Sequence, residues 1–145
     1  RWLQRHVQPD AQLIAQANSQ YLCQHDQGQI FCLKPDFLID TPQQRWVLDA
    51  KWKRLEADQR DKNYGLSQSD FYQLLAYGHK YLSDSGERTL ALIYPYWSGL
   101  QKPLPPFDYG AGMNLWVLPF DLDNDCLLGA EMAGVPLIRS IGNLR

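Results

Sequence analysis

Two nearly continuous apolar runs, Phe31–Ile39 and Arg45–Trp52, flank the polar stretch Asp40-Thr41-Pro42-Gln43-Gln44. Apolar runs of this length read as strands covered on both faces, and the intervening stretch reads as the turn of an antiparallel hairpin. A turn centred on Pro42-Gln43 sets Asp36 opposite Asp49. Directly opposed residues of an antiparallel pair share a face, and Lys51, two positions on, joins them there. Phe37, Ile39, Leu48 and Ala50 then occupy the other face, expected to pack on a helix. Two carboxylates held opposite one another repel and destabilise a hairpin unless something neutralises them. A divalent cation does so. Mg²⁺ suits one or two carboxylates plus water and phosphate oxygens, and the Ala50 carbonyl is a further hard donor. An ammonium at Lys51 would then stabilise charge developing on a phosphodiester. The bland alternative is a solvated charged face, weighed against the rarity of unpartnered charges in apolar strands.

The remainder of the chain supplies a frame for that hairpin. Residues 2–18 read as helix broken near Pro9. Residues 20–25 and 29–39 read as strands joined by Asp26-Gln27-Gly28, with Cys23 facing Cys32 if Gln27-Gly28 is the two-residue loop. That pair reads as two reduced, buried thiols, with a disulfide as the alternative. Residues 53–66 are polar and read as a long loop. From Ser67 the period becomes helical: Phe71, Leu74, Leu75, Gly78 and Leu82 form a stripe facing the sheet, with Ser67 and Asp70 as a capping box. Thr89–Tyr94 and Leu115–Phe120 read as strands, Pro95–Gly112 as a loop, and Leu127–Ala133 as a short helix. The class is α/β (α+β), a mixed central β-sheet flanked by helices, in a single domain over 1–145.

Gln73 and Tyr77 stand four apart on the helix flank, where both can reach the mouth of a site on the sheet. Each taken alone reads as a surface amide or an amphipathic core-edge ring. Trp52, Lys53 and Arg54 are a stacking ring and two cations suited to a DNA backbone, or a solvated charge pair beside a core Trp. The net charge of −2 argues against indiscriminate nucleic-acid binding, but six bases against four acids lie between Arg45 and Lys62, which centres any phosphate contact there.

Other signals carry less. Asp121, Asp123 and Asp125 alternate like a calcium loop but lack its glycine and final glutamate, and read as a solvated turn. His6, His25 and His79 have no ligand spacing, and Pro103-Leu104-Pro105-Pro106 reads as a stiff loop. Three cysteines without a CxxC pair fit a reducing, cytoplasmic setting, and no apolar run approaches a membrane span.

Pro35-Asp36, Asp49-Ala50-Lys51 and Gln73-x-x-x-Tyr77, in that order on strand, strand and helix, resemble the PD-(D/E)xK nuclease superfamily and the QxxxY motif of its RecB-like branch. More closely, LKPDFLID, WVLDAKWKRLE, NYGLSQSDFYQLLAYGHKYL and LALIYP resemble the McrC family, nuclease subunits of the GTP-dependent McrBC systems that cut DNA containing modified cytosine. The likeness covers roughly residues 30–96 well. It implies a restriction-endonuclease-like fold and Mg²⁺-dependent DNA cleavage, with Mn²⁺ able to substitute. It further implies Asp36 and Asp49 as metal ligands, Lys51 as the catalytic lysine, and Gln73 and Tyr77 as auxiliary positions. GTP hydrolysis and recognition of the modified base fall to a McrB-like AAA+ GTPase partner, in keeping with the lack of a GxxxxGK[ST] loop here. Relatives of the RecB branch often add an acid on a preceding helix; Asp10, the one acid in residues 1–20, is not assignable to that role. The partner-docking region is expected outside this sequence, which reads as the C-terminal fragment of a longer protein. A RecB-like exonuclease or repair nuclease, and a non-catalytic DNA-binding or assembly module, are the alternatives.

Overall fold

The computed structural model describes residues 1–82 and 86–138. In chain order they form α1 (Trp2–His6), β1 (Gln12–Ala15), β2 (Gln20–His25), β3 (Gly28–Leu33), β4 (Phe37–Asp40) and β5 (Arg45–Ala50). A 3-10 segment (Arg60–Gly65), α2 (Gln68–Tyr81), β6 (Arg88–Pro95), β7 (Phe107–Gly110), β8 (Met113–Asp121) and β9 (Cys126–Leu127) follow.

The main sheet runs β1-β4-β5-β6-β8-β7, with β9 also on β8. Pairings are antiparallel except β5–β6 and β6–β8, which are parallel. Parallel neighbours need a crossover, and α2 supplies it between β5 and β6. The central strands are therefore covered on both faces, which is why β5, β6 and β8 are almost uninterruptedly apolar. On one face Leu38, Val47, Leu90, Leu92, Leu115 and Val117 meet Leu74, Tyr77 and Tyr81 of α2. On the other Ile39, Trp46, Leu48, Ala91 and Leu118 meet Leu127, Ala130, Ala133 and Val135, with Trp2 and Val7 at the rim. The Trp46 indole anchors that second layer by donating to the Ala133 carbonyl at 3.2 Å.

The hairpin register is the expected one: Phe37 pairs Leu48, Leu38 pairs Val47, Ile39 pairs Trp46 and Asp40 pairs Arg45. Its Phe37, Ile39 and Leu48 face does not lie on the long helix. They pack on α1 and the turns after β9, because α2 takes the face of Leu38 and Val47.

Other expectations are corrected. Residues 12–15 are an edge strand on β4, not helix: Leu13 and Ile14 enter opposite layers of core, a period of two. The 29–39 strand breaks at Lys34–Asp36, where Pro35 has no ladder donor, so β2 and β3 form a separate two-stranded ribbon. In that ribbon Cys23 pairs Ile30 and Cys32 pairs Tyr21, so the two do not face each other; they form no disulfide, and Cys23 is exposed, not buried. Asp26, with a φ of 54°, takes the left-handed turn position in place of Gly28. The 95–112 loop contains β7, and in place of a helix over 127–133 Leu127 ends β9 and residues 128–133 form turns. Ser67 caps α2 by position but its hydroxyl bonds Ser69, so no capping box forms. The aspartate stretch is a turn, exposed at Asp123 and Asp125, but Asp121 ends β8 and is buried, not solvated: it accepts the Asp123 and Asn124 amides and the Asn124 side chain, holding its carboxyl below the usual range. Among the described residues no helix is long and apolar enough to cross a membrane.

Candidate functional site

Pro35 ends the β2–β3 ribbon and directs the chain into β4, so Asp36 stands just before the first ladder pair. Asp49 is next to last in β5, on the face that α2 covers. The pairing set by the turn thus continues one step beyond the backbone ladder, carried by side chains. The Asp36 amide donates to Asp49 Oδ1 at 2.9 Å, and the Ala50 amide donates to Asp36 Oδ2 at 2.9 Å. Each carboxylate is held by the other strand. Asp36 Oδ1 accepts from Gln16 Nε2 at 3.0 Å. Asp49 Oδ2 lies 2.9 Å from Lys51 Nζ.

Lys51 follows the end of β5, its amide bonded to the Ile93 carbonyl of β6 at 2.9 Å. Its ammonium meets three oxygens: Asp49 Oδ2, Gln73 Oε1 at 3.0 Å and Asp70 Oδ1 at 3.4 Å. Asp70 and Gln73 are one turn apart on α2, which explains why both reach the same cation.

Burial raises the Asp49 carboxyl above its ordinary value, and the Asp36 charge pushes the same way. The Lys51 bond and the Asp36 amide pull it down without overcoming burial. Burial alone would lower the Lys51 ammonium, yet the bond to Asp49 and the charges of Asp49 and Asp70 hold it above its usual value. The two shifts differ in cause because Asp49 is the more enclosed partner, with 6% of its side chain exposed against 22% for Lys51.

Tyr77 is buried beside this cluster, and its hydroxyl donates to the Lys34 carbonyl at 3.3 Å. Burial, then the charges of Asp49 and Asp36, push the phenol up to about 12. It is therefore a neutral donor that ties α2 to the segment leading into Asp36. Tyr94 of β6 has a buried hydroxyl with no hydrogen-bond partner among the described residues, and its phenol is raised by burial and then by Asp70 and Asp49.

The structure thus brings Asp36, Asp49, Ala50, Lys51, Gln73 and Tyr77 together. Trp52, Lys53 and Arg54 lie outside the cluster on the exposed segment beyond β5. Trp52 is 82% exposed, not a core residue, and the Arg54 guanidinium sits 5.0 Å from the centre of the Trp97 ring. Sequence reasoning missed Asp70 and Gln16. Asp70 carried a signal, three positions before Gln73, but was absorbed into the capping reading; Gln16 carried none.

All four oxygens of Asp36 and Asp49 are hard donors, and each accepts one hydrogen bond, leaving further lone-pair capacity. This donor set suits a Mg²⁺-class cation that completes its shell with water or phosphate. Among the described residues no group of three His, Cys, Asp or Glu is placed to hold a metal by itself.

A family model described as McrBC 5-methylcytosine restriction system component matches residues 1–95. Among solved structures, the chain is similar to one from a half-complex of the tetradecameric assembly of Thermococcus gammatolerans McrB AAA+ hexamers with bound McrC. The TM-score is 0.60 at 14% identity, over 91% of this chain and 28% of that one. The likeness is one of fold, and this chain spans about a quarter of that chain's length. No curated protein matches.

Proposed function

Because the chain belongs to the family of McrBC 5-methylcytosine restriction system components, we propose that it is the DNA-cleaving, McrC-like domain of such a system, built on the PD-(D/E)xK plan. One observation carries this reading: the Asp49 carboxylate accepts the Asp36 amide, the Asp36 carboxylate accepts the Ala50 amide, and Lys51 lies against Asp49. Two acids and a lysine at the end of adjacent strands are the parts that phosphodiester hydrolysis requires.

Asp36 and Asp49 would hold Mg²⁺, or Mn²⁺ in its place, with the Ala50 carbonyl as a further oxygen donor. The ion supplies Lewis acidity toward a phosphate oxygen and an attacking water. The protein's own groups do the rest. Lys51 stabilises negative charge growing on the phosphate. Gln73 orients the Lys51 ammonium through its amide oxygen. Tyr77, neutral to high pH, fixes α2 against the Lys34 carbonyl, so Gln73 and Asp36 keep their spacing. Trp52, Lys53 and Arg54, solvent-facing beyond β5, would hold the DNA backbone and stack on a base. A McrB-like AAA+ GTPase would supply GTP hydrolysis and recognition of modified cytosine, in the cytoplasm.

The test is cleavage of closed plasmid DNA carrying 5-methylcytosine by this protein assembled with its GTPase, with GTP and Mg²⁺. Asp49→Ala should abolish cutting while the circular dichroism spectrum stays native. Normal cutting by that variant would overturn the reading. Cleavage that needs DNA ends and ignores GTP would instead identify a RecB-like exonuclease.

A further inference from the structure

We propose that Asp70 is a positioning residue for Lys51, the seat to which the ammonium moves when a divalent cation takes Asp49. The inference rests on the metal-site reading above and extends it to a residue outside the motif.

Lys51 Nζ has three N–H donors, and it has three acceptors: Asp49 Oδ2 at 2.9 Å, Gln73 Oε1 at 3.0 Å and Asp70 Oδ1 at 3.4 Å. The first lies on β5; the other two lie on one face of α2. Asp49 Oδ2 is also one of the oxygens a cation would use. An ammonium and a divalent cation on the same carboxylate oxygen repel strongly in a site this enclosed. Lys51 must therefore yield Asp49 in part, and the charge it carries needs another anion. Asp70 supplies one, on the same α2 face as the Gln73 oxygen that already holds the lysine. Its present 3.4 Å separation leaves room to shorten. Asp70 and Asp49 thus stand on either side of one ammonium, and their balance sets how readily Asp49 becomes free as a ligand.

A double-mutant cycle on Mn²⁺ affinity tests this, read by isothermal titration of the full chain without DNA. Asp70→Asn should weaken Mn²⁺ binding by roughly three- to tenfold, as befits one partly exposed charge pair. Asp70→Glu should restore most of it. In a Lys51→Met background, Asp70→Asn should change affinity by less than about twofold, because the residue it acts through is gone. Equal losses in both backgrounds would make Asp70 a direct ligand or a distant charge and overturn the proposal, as would no loss in the parent chain. Asp70→Ser repeats the cycle if the Asn variant does not fold. A parent chain that fails to bind Mn²⁺ removes the metal site and this inference together; a parent that binds while Asp70→Asn is silent removes the inference alone.

Discussion

Asp36 and Asp49 extend the β4–β5 pairing past its last backbone rung, the Asp36 amide donating to Asp49 Oδ1 and the Ala50 amide to Asp36 Oδ2, both at 2.9 Å. Charge-assisted bonds of this kind are stronger than neutral ones. They offset the repulsion between two acids that an ordinary hairpin would not tolerate. The acids are therefore spaced by the strands themselves, and the hairpin turn at Pro42-Gln43 sets the geometry of a site at its far end.

Asp49→Asn separates the metal role from the fold. The Asp49 carboxyl is raised by burial, so the native chain holds that proton more tightly than the unfolded one. Its contribution to stability is complete below the unfolded value and is lost as pH rises through the folded value. Neutral Asn carries no such charge. In EDTA at pH 7 the variant should melt within about 3 °C of the parent. Excess Mn²⁺ should raise the parent Tm by roughly 5–10 °C at a hundredfold excess over Kd and leave the variant unmoved. Differential scanning fluorimetry reads both; a Mn²⁺ shift retained in the variant would place the ion elsewhere.

Tyr77→Phe should flatten the alkaline limb of stability. The phenol stands at about 12 in the folded chain against an ordinary 10.0. Stability it contributes is whole below pH 10 and lost between about pH 10 and 12, on the order of 2–3 kcal/mol. Phe removes that slope and, at neutral pH, costs about 1 kcal/mol for the lost bond to the Lys34 carbonyl. Urea midpoints measured from pH 8 to 12 would show it. An unchanged slope would mean that Tyr77 does not ionise on unfolding in that range.

The hairpin was legible because one turn position fixes every pair, and alternation then places Asp36, Asp49 and Lys51 on one face. The β2–β3 ribbon shows the limit of the same logic. A Gln27-Gly28 loop would set Cys23 opposite Cys32, but Asp26 takes the positive-φ position, the loop is Asp26-Gln27, and the register slips by two. Residues 12–15 are too short to show a period, and their pairing with β4 is a contact across sequence. Asp70 had two plausible uses, one local and one tertiary, and only the packed helix decides between the Ser67 amide turn and the Lys51 ammonium. Gln16 reaches Asp36 from a connection with no pattern at all.

Trp52→Ala isolates DNA contact from stability. The ring is 82% exposed, so truncation should leave Tm within about 2 °C. If the ring stacks on a base, affinity for a short single-stranded oligonucleotide should fall at least about fivefold, since such stacks carry roughly 1–3 kcal/mol. Fluorescence anisotropy with Ca²⁺ replacing Mg²⁺ measures binding without turnover. Equal affinity in parent and variant would remove Trp52 from the DNA path.

Gly78→Ala tests how closely α2 must approach the sheet to aim Gln73 and Asp70 at Lys51. An added Cβ would meet Met113 Sδ at 2.7 Å, Met113 Cε at 3.0 Å and Leu90 Cδ1 at 3.3 Å. Alanine favours a helix interior over glycine by about 1 kcal/mol. Overpacking a filled core costs roughly 1–3 kcal/mol. Met113 is a flexible neighbour, but it is 1% exposed and Leu90 is fully enclosed, so neither has space to retreat into. The steric cost should therefore win, lowering Tm by about 2–6 °C. Any relief must come from α2 lifting off the sheet, which draws Gln73 and Asp70 away from Lys51. The variant should accordingly lose Mn²⁺ affinity as well as stability, although Gly78 touches neither carboxylate. A more stable variant with parental Mn²⁺ affinity would show that Met113 repacks and that the helix position is not set by this contact.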